Sequence, residues 1–276
     1  MEFVDNSQFN YEETIEIAEG VYWVGYADRK AGFHCNPYLI TDNDEAVLID
    51  SGSRNDFSTV MLKIMRTGAN PRNITRLIYH HYDPDLCGNI PHMEAMIDSD
   101  ELKIISHYEN NIFIKYYSAK SPMQCIEKIG YQYKFSSGRQ LDFIHVPYSH
   151  APGNFMTYDT KTKALFSSDI FGAYDANWTF YAHITEDCLK CNSKEGCAVT
   201  GSKECQMTGM VDFHRRIMPS TKALKYALSE IEKLDISIIA PQHGSIFKTE
   251  SSKKAAIMRL KTLNKVGFDC FEEECL

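Results

Sequence analysis

The sequence lacks most of the features that would take it outside the ordinary globular proteins. No apolar run approaches the roughly 20 residues that a membrane-spanning helix needs. The start, Met1 to Asn6, is acidic and has no apolar core, so a secretory signal is not expected. Basic residues are not in excess: 29 Lys and Arg against 37 Asp and Glu leave a net charge of -8, which argues against a nucleic-acid surface. Gly- or Pro-rich linkers, internal repeats and low-complexity tracts are missing as well. Residues 1–276 are therefore expected to form one domain. The hydrophobic share, 43%, is enough for a sizeable core. One feature is out of the ordinary: the cysteines number nine, and four of them crowd into one short stretch.

Short β-rich runs come first, at Val21–Tyr26, Tyr38–Thr41 and Ala46–Asp50, with an Asn-Asp turn signal between the last two. Helical spacing of Val60, Met61, Ile64 and Met65 predicts a helix over Phe57–Arg66. Strands are expected at Thr75–Tyr79, Lys103–Ser106, Gln140–Val146, Phe155–Tyr158, Ala164–Ser167 and Ile236–Ala240. Helices are expected at His92–Ile97, Asn110–Tyr117, Met123–Ile129, Ala223–Leu234 and Ser252–Val266. Strands that keep returning between helices imply a layered α/β domain. The polar, Cys-rich stretch at about 182–210 reads as an insertion within it.

The strongest chemical signal is the loop His80-His81-Tyr82-Asp83-Pro84-Asp85-Leu86-Cys87-Gly88, directly after an expected buried strand. His81, Asp83 and Asp85 alternate, so in an extended segment they share one face, as metal ligands would. The bland alternative is a solvated turn in which Asp85 caps the next helix. Three further strand ends carry a ligand-type residue: His150 in Val146–Asn154, Asp169 after Leu165-Phe166, and His243 in Ala240-Pro241-Gln242-His243-Gly244. Each alone would be unremarkable; four in one chain point to a metal site. Three imidazoles and three carboxylates, with no thiolate, suit iron or manganese better than zinc.

In this order, His-x-Asp-x-Asp-x-x-Gly, then His150, Asp169 and His243, the residues resemble the metallo-β-lactamase fold, a four-layer αββα sandwich with a dinuclear site at one edge. Within that superfamily the chain resembles the diiron domain of flavodiiron proteins. Tyr22-Trp23-Val24-Gly25, Asn36-Pro37-Tyr38-Leu39-Ile40, Ala46–Asp50, Phe166–Gly172 and Ile239–Gly244 carry the resemblance, from about Gly20 to Phe247. The resemblance implies that His81, Asp83 and His150 hold one iron, Asp85 and His243 the other, and Asp169 bridges them, at the roughly 3.5–4 Å usual for two-metal sites. It also implies a homodimer, and it places His34 over the distal side of the metals, within reach of a bound oxygen species. Asp50 is a candidate to orient the His81 loop, while His80 and His92 read as structural. Two departures stand out. Asp83 replaces the usual glutamate (and the histidine of zinc hydrolases), and Leu86 replaces a histidine common in the family, which thins the second metal position.

Cys188, Cys191, Cys197 and Cys205 form a C-x2-C-x5-C-x7-C run, four thiols in a segment with little apolar content. Such a set suits zinc or an iron–sulfur cluster, here expected as [4Fe-4S]. The chain resembles stand-alone oxygen-binding diiron proteins, since its length leaves no room for a flavodoxin domain and no FMN is expected. An iron–sulfur cluster supplies electrons where zinc has no redox chemistry. Cys35 and Cys87 read as small buried hydrophobes, and Cys270 and Cys275 as either a disulfide or a partner contact. The expected function is a cytoplasmic non-haem diiron protein that binds dioxygen as a sensor, or reduces O2 or NO with an external electron donor or signalling partner. The competing expectation is a metal-dependent hydrolase of the same fold acting on an ester, thioester or phosphodiester.

Overall fold

The computed structural model describes residues 4–27, 35–174, 178–191, 196–197, 201 and 205–271. A seven-stranded sheet runs β1 (Ile15–Ala18), β2 (Val21–Trp23), β3 (Tyr38–Asp42), β4 (Glu45–Ile49), β5 (Ile74–Ile78), β6 (Lys103–Ser106) and β7 (Met123–Cys125), in chain order. Pairing is antiparallel from β1 to β4 and parallel from β4 to β7. The second sheet has the order β12 (Ile238–Ala240), β11 (Ala164–Phe166), β10 (Phe155–Asp159), β9 (Gln140–His145) and β8 (Gln132–Lys134), with β11 and β12 parallel.

Three cores separate four layers. In β4, Val47 and Ile49 face the second sheet, where they join Trp23, Tyr38, Phe155 and Phe166; Ala46 and Leu48 face helices on the other side. This double burial is why the strand reads as a continuous apolar run rather than an alternation. On the outer face of the first sheet pack α1 (Phe57–Arg66), the one-turn α2 (Pro84–Cys87), α3 (Ile90–Ile97) and α4 (Tyr108–Ile114). The second sheet is covered by α5 (Gln206–Ile217), α6 (Thr221–Ile231) and α7 (Glu250–Lys261); the short α8 (Phe268–Phe271) follows. The result is the αββα sandwich expected from the motif order.

Several local expectations change. Met123–Ile129 is not a helix: Met123–Cys125 pairs in parallel with Ile104–Ser106, and only Ile126–Ile129 turns, as a 3-10 helix. Backbone pairing with a strand far away in sequence overrides the local apolar spacing there. The last long helix ends at Lys261 rather than Val266. Beyond it Leu263 and Val266 drop into the core, and Gly267 lies against the Met218 carbonyl at a distance no side chain would permit. Met65, expected on the apolar face of α1, is exposed, while Val60, Met61 and Ile64 are buried. Two edge strands, β1 and β8, and helix α5 were not legible in the sequence. Helix α5 begins within the stretch 182–210 and buries Met207, Met210, Val211, Phe213 and His214.

One side chain joins the two sheets at the edge that matters for function. Asn36, fully buried, accepts from the Trp23 indole (2.9 Å) and donates to the carbonyls of Pro241 (3.1 Å) and Gly244 (2.9 Å). Tyr38 donates to the same Pro241 carbonyl at 2.9 Å. The loop after β12 is thereby pinned to the first sheet. Asn36→Ala would leave an indole N–H and a carbonyl without partners in a water-free region, and is expected to cost about 3 kcal/mol of stability. Denaturant unfolding of the metal-free protein checks this; a loss below about 1 kcal/mol would show that the clamp is dispensable.

Candidate metal centre

The four strand ends singled out by their sequence meet at one edge of the sandwich. His81 follows β5 by three residues. Asp83 is the N-cap residue of α2, with Pro84 at its first position, yet its carboxylate caps nothing and is turned toward the histidines. Asp85 is therefore not the cap that a plain turn would need, and it lies in a helical turn rather than an extended run. His150 sits in the turn between β9 and β10, Asp169 just after β11, and His243 just after β12.

Asp169 is the hub. Its Oδ1 lies 3.3 Å from His81 Nε2 and 3.6 Å from His243 Nε2, and its Oδ2 lies 3.2 Å from His150 Nδ1. Asp83 Oδ2 is 2.9 Å from His150 Nε2, and Asp85 Oδ2 is 3.4 Å from His243 Nε2. All six sequence-predicted ligands thus form one connected group. The ligand atoms of His81, His150 and Asp169 lie within 4.8 Å of one another. Nδ1 of His81 and Nδ1 of His150 are buried without a hydrogen-bond partner, the second despite its nearness to Asp169. Imidazole nitrogens without hydrogen-bond partners, close to buried carboxylates, fit cation binding.

Charge compensation gives the same answer. Burial works against ionising Asp83, but the hydrogen bond with His150 and the nearby His81 ring outweigh it and hold the carboxyl far below the usual range. Asp169, buried more deeply, is also held low by the charges of His150 and His81. Burial likewise disfavours protonated His81, yet Asp169 and Asp83 prevail and push its pKa well above the ordinary value. Burial, only partly countered by His243 and His81, raises Asp85. The raised pKa of His81 favours its protonated form, a positive charge beside carboxylates that a divalent cation would also balance.

Neutral polar side chains lock the loops together. Ser51 donates to the Leu86 carbonyl at 2.7 Å, and Asn89 donates to the Ser51 carbonyl at 2.8 Å. Asn110 donates to the carbonyls of His80 (3.0 Å) and Gly153 (2.8 Å). Asn154 donates to Ser149 and accepts from Ser168, tying the His150 turn to the Asp169 turn. Gln242 accepts from His81 at 2.8 Å and donates to Asp85 at 3.3 Å. Left-handed backbone marks the same loops: Asp50, Tyr148, Ser168 and Phe171 all have positive φ without being glycine, at a cost of order 1 kcal/mol or more each.

The other predicted residues divide. Asp50 Oδ2 is 3.6 Å from His80 Nδ1, so it faces the residue before His81; His80 also hydrogen-bonds Thr157 at 2.9 Å. Leu86 is buried in the outer core of the first sheet and offers no ligand. His92 is exposed, with its ring against Phe57. His34 lies outside the described residues, as does Cys275. Cys87 is buried 3.7 Å from the His81 carbonyl, and Cys35 is buried too. Cys188 is buried in the outer core of the second sheet, while Cys191, Cys197 and Cys205 are partly buried. Among the described residues, no three of these sulfurs come within 4.8 Å of one another.

The model of a family described as ODP family beta lactamase matches residues 33–244. A solved structure titled as a peroxy diiron species of the chemotaxis sensor ODP is 26% identical, with a TM-score of 0.74 over 95% of this chain and 99% of that one. An uncharacterised protein of Methanocaldococcus jannaschii is 26% identical over 245 residues, 85% of this chain and 57% of its own length. An anaerobic nitric oxide reductase flavorubredoxin of Pectobacterium atrosepticum is 22% identical over 254 residues, 87% of this chain and 46% of its own. The chain spans about half the length of these curated relatives.

His81 must give up its proton before it can donate a lone pair to a cation, so uptake of a divalent ion at pH 7 is expected to release protons and to weaken as the pH falls. Binding calorimetry in buffers of different ionisation enthalpy measures the release. Heats that do not depend on the buffer would show the site already deprotonated.

Proposed function

This chain belongs to the ODP family of beta lactamases, and on that premise we propose that it is a non-haem diiron protein that binds dioxygen and reports it as a sensor. The observation that carries the reading is the position of Asp169, whose two oxygens face the histidines of both halves of the site. In this reading His81, Asp83 and His150 hold one iron, Asp85 and His243 the second, and Asp169 lies between them. Two ferrous ions would supply the electrons that dioxygen accepts.

The protein's own residues do the rest. Three carboxylates against three imidazoles leave a negative charge that divalent ions balance. Hydrogen bonds to Asp85 and to His81 give Gln242 the task of aligning one ligand from each half. Leu86 in its apolar core leaves the second position with fewer protein donors than the first, which suits binding of a small ligand more than fast turnover. The sensing reading is supported by the 26% identity to a chemotaxis sensor, at a TM-score of 0.74. Reduction of O2 or NO would require an external electron donor. An iron–sulfur cluster at Cys188, Cys191, Cys197 and Cys205 is part of the same proposal and is supported by their spacing; acid-labile sulfide in anaerobically purified protein is its required signature.

Anaerobic loading with ferrous iron is expected to give two irons per chain, and air is expected to produce one burst of oxygen uptake with a new optical band. A protein that takes only zinc and hydrolyses model esters would overturn this reading in favour of the hydrolase. Asp169→Ala is expected to lower the stoichiometry to one iron or none, read by metal analysis after desalting. Two irons retained in that variant would remove Asp169 from its place between them.

A further inference from the structure

Helix α5 carries a histidine that belongs to none of the ligand loops. His214 is fully buried, its Nδ1 is 2.7 Å from the Met210 carbonyl, and its Nε2 is 3.1 Å from the backbone nitrogen of Phe171. Those two partners permit one state. The carbonyl requires a proton on Nδ1, and the Phe171 N–H requires a lone pair on Nε2, so the imidazole is neutral in its Nδ1–H form. Burial agrees, lowering the His214 pKa to about 4.

Phe171 ends the turn that presents Asp169. The turn is held by the Ser167 carbonyl accepting from Ile170 (3.1 Å), the Asp169 carbonyl accepting from Gly172 (2.9 Å) and the Ser167 hydroxyl donating to the Ile170 carbonyl (2.6 Å). Ser168 and Phe171, on either side of Asp169, are both left-handed, with φ of 55° and 70°. A backbone in that region persists only where its surroundings over-determine it. The Phe171 N–H lies in the core and finds its acceptor on His214. The neighbouring Phe213 completes the seat: its ring lies 5.8 Å from that of His243, and a Cβ on Gly172 would come within 2.7 Å of it. Gly209, one turn earlier, fits against the Tyr174 carbonyl.

We propose that His214 is a positioning residue for the metal centre: its Nε2 lone pair holds the left-handed Asp169 turn, so that the carboxylate faces both halves of the site. This rests on the metal reading above. The role needs an acceptor at that point, not a titrating group and not a ligand.

The test compares His214→Gln, whose amide oxygen restores an acceptor at similar reach, with His214→Met, which has similar length and no acceptor. Amide exchange is measured on the metal-free proteins, and ferrous binding on the anaerobic full chain. In the Met variant the Phe171 amide should exchange on the order of tenfold faster, and the weaker of the two irons should bind on the order of tenfold less tightly, the scale seen when the partner of a ligand is lost. The Gln variant should recover both. A Met variant that binds two irons as tightly as the parent overturns the positioning role. A parent that takes up no iron overturns the metal reading itself, and the exchange rates then report the hydrogen bond alone. Should the Met variant not fold, imidazole nitrogen shifts of the parent decide: the Nδ1–H form is required, and a proton on Nε2 overturns the proposal.

Discussion

Everything at the functional edge depends on keeping Asp169 ionised while it is almost completely buried. A carboxylate in that position is tolerated only with positive charge or strong donors around it. Here they come from His81, His150 and His243, one from the first sheet and two from the second. The same arrangement pushes the His81 pKa up, and makes a cation of higher charge a natural partner for the carboxylates. Removing any one partner would leave an uncompensated charge rather than a simple gap.

The loops that bring these groups together contain little regular structure, and their geometry is held by neutral side chains. Asn36, Asn110, Asn154 and Ser51 satisfy backbone carbonyls or neighbouring hydroxyls across turns distant in sequence, and Gln242 joins the Asp85 carboxylate to the His81 ring. Amide and hydroxyl groups do this without adding charge to a region that already holds six ionisable side chains. The left-handed residues at Asp50, Tyr148, Ser168 and Phe171 show the cost of sharp turns made without glycine. That cost is offset by hydrogen bonds and packing around each turn, with His214 and Phe213 acting from the covering helix.

Much of this was legible in the sequence, and for identifiable reasons. The candidate ligands stand at or just after the ends of apolar runs, where their residue type alone singles them out. Central strands such as Glu45–Ile49 read clearly because double burial leaves a continuous apolar segment. Met123–Cys125 did not, since a three-residue strand owes its form to pairing with β6. Helix α5 was hidden next to a Cys-rich stretch, and with it His214, whose importance lies in a backbone contact 43 residues away.

The sequence by itself determined the six candidate donors, their order along the chain, the layered α/β class and the absence of a histidine at Leu86. These depend on residue identity and local periodicity. Tertiary structure decided which neighbours matter: that His80 faces Asp50 and Thr157 while His81 faces Asp169, and that Asp83 rather than Asp85 occupies the helix start. It also decided that Asn36 reaches across to Pro241 and Gly244. Such choices turn on contacts between segments up to about two hundred residues apart. Local propensity carries no information about them, because the energy that selects them exists only once both sheets are packed.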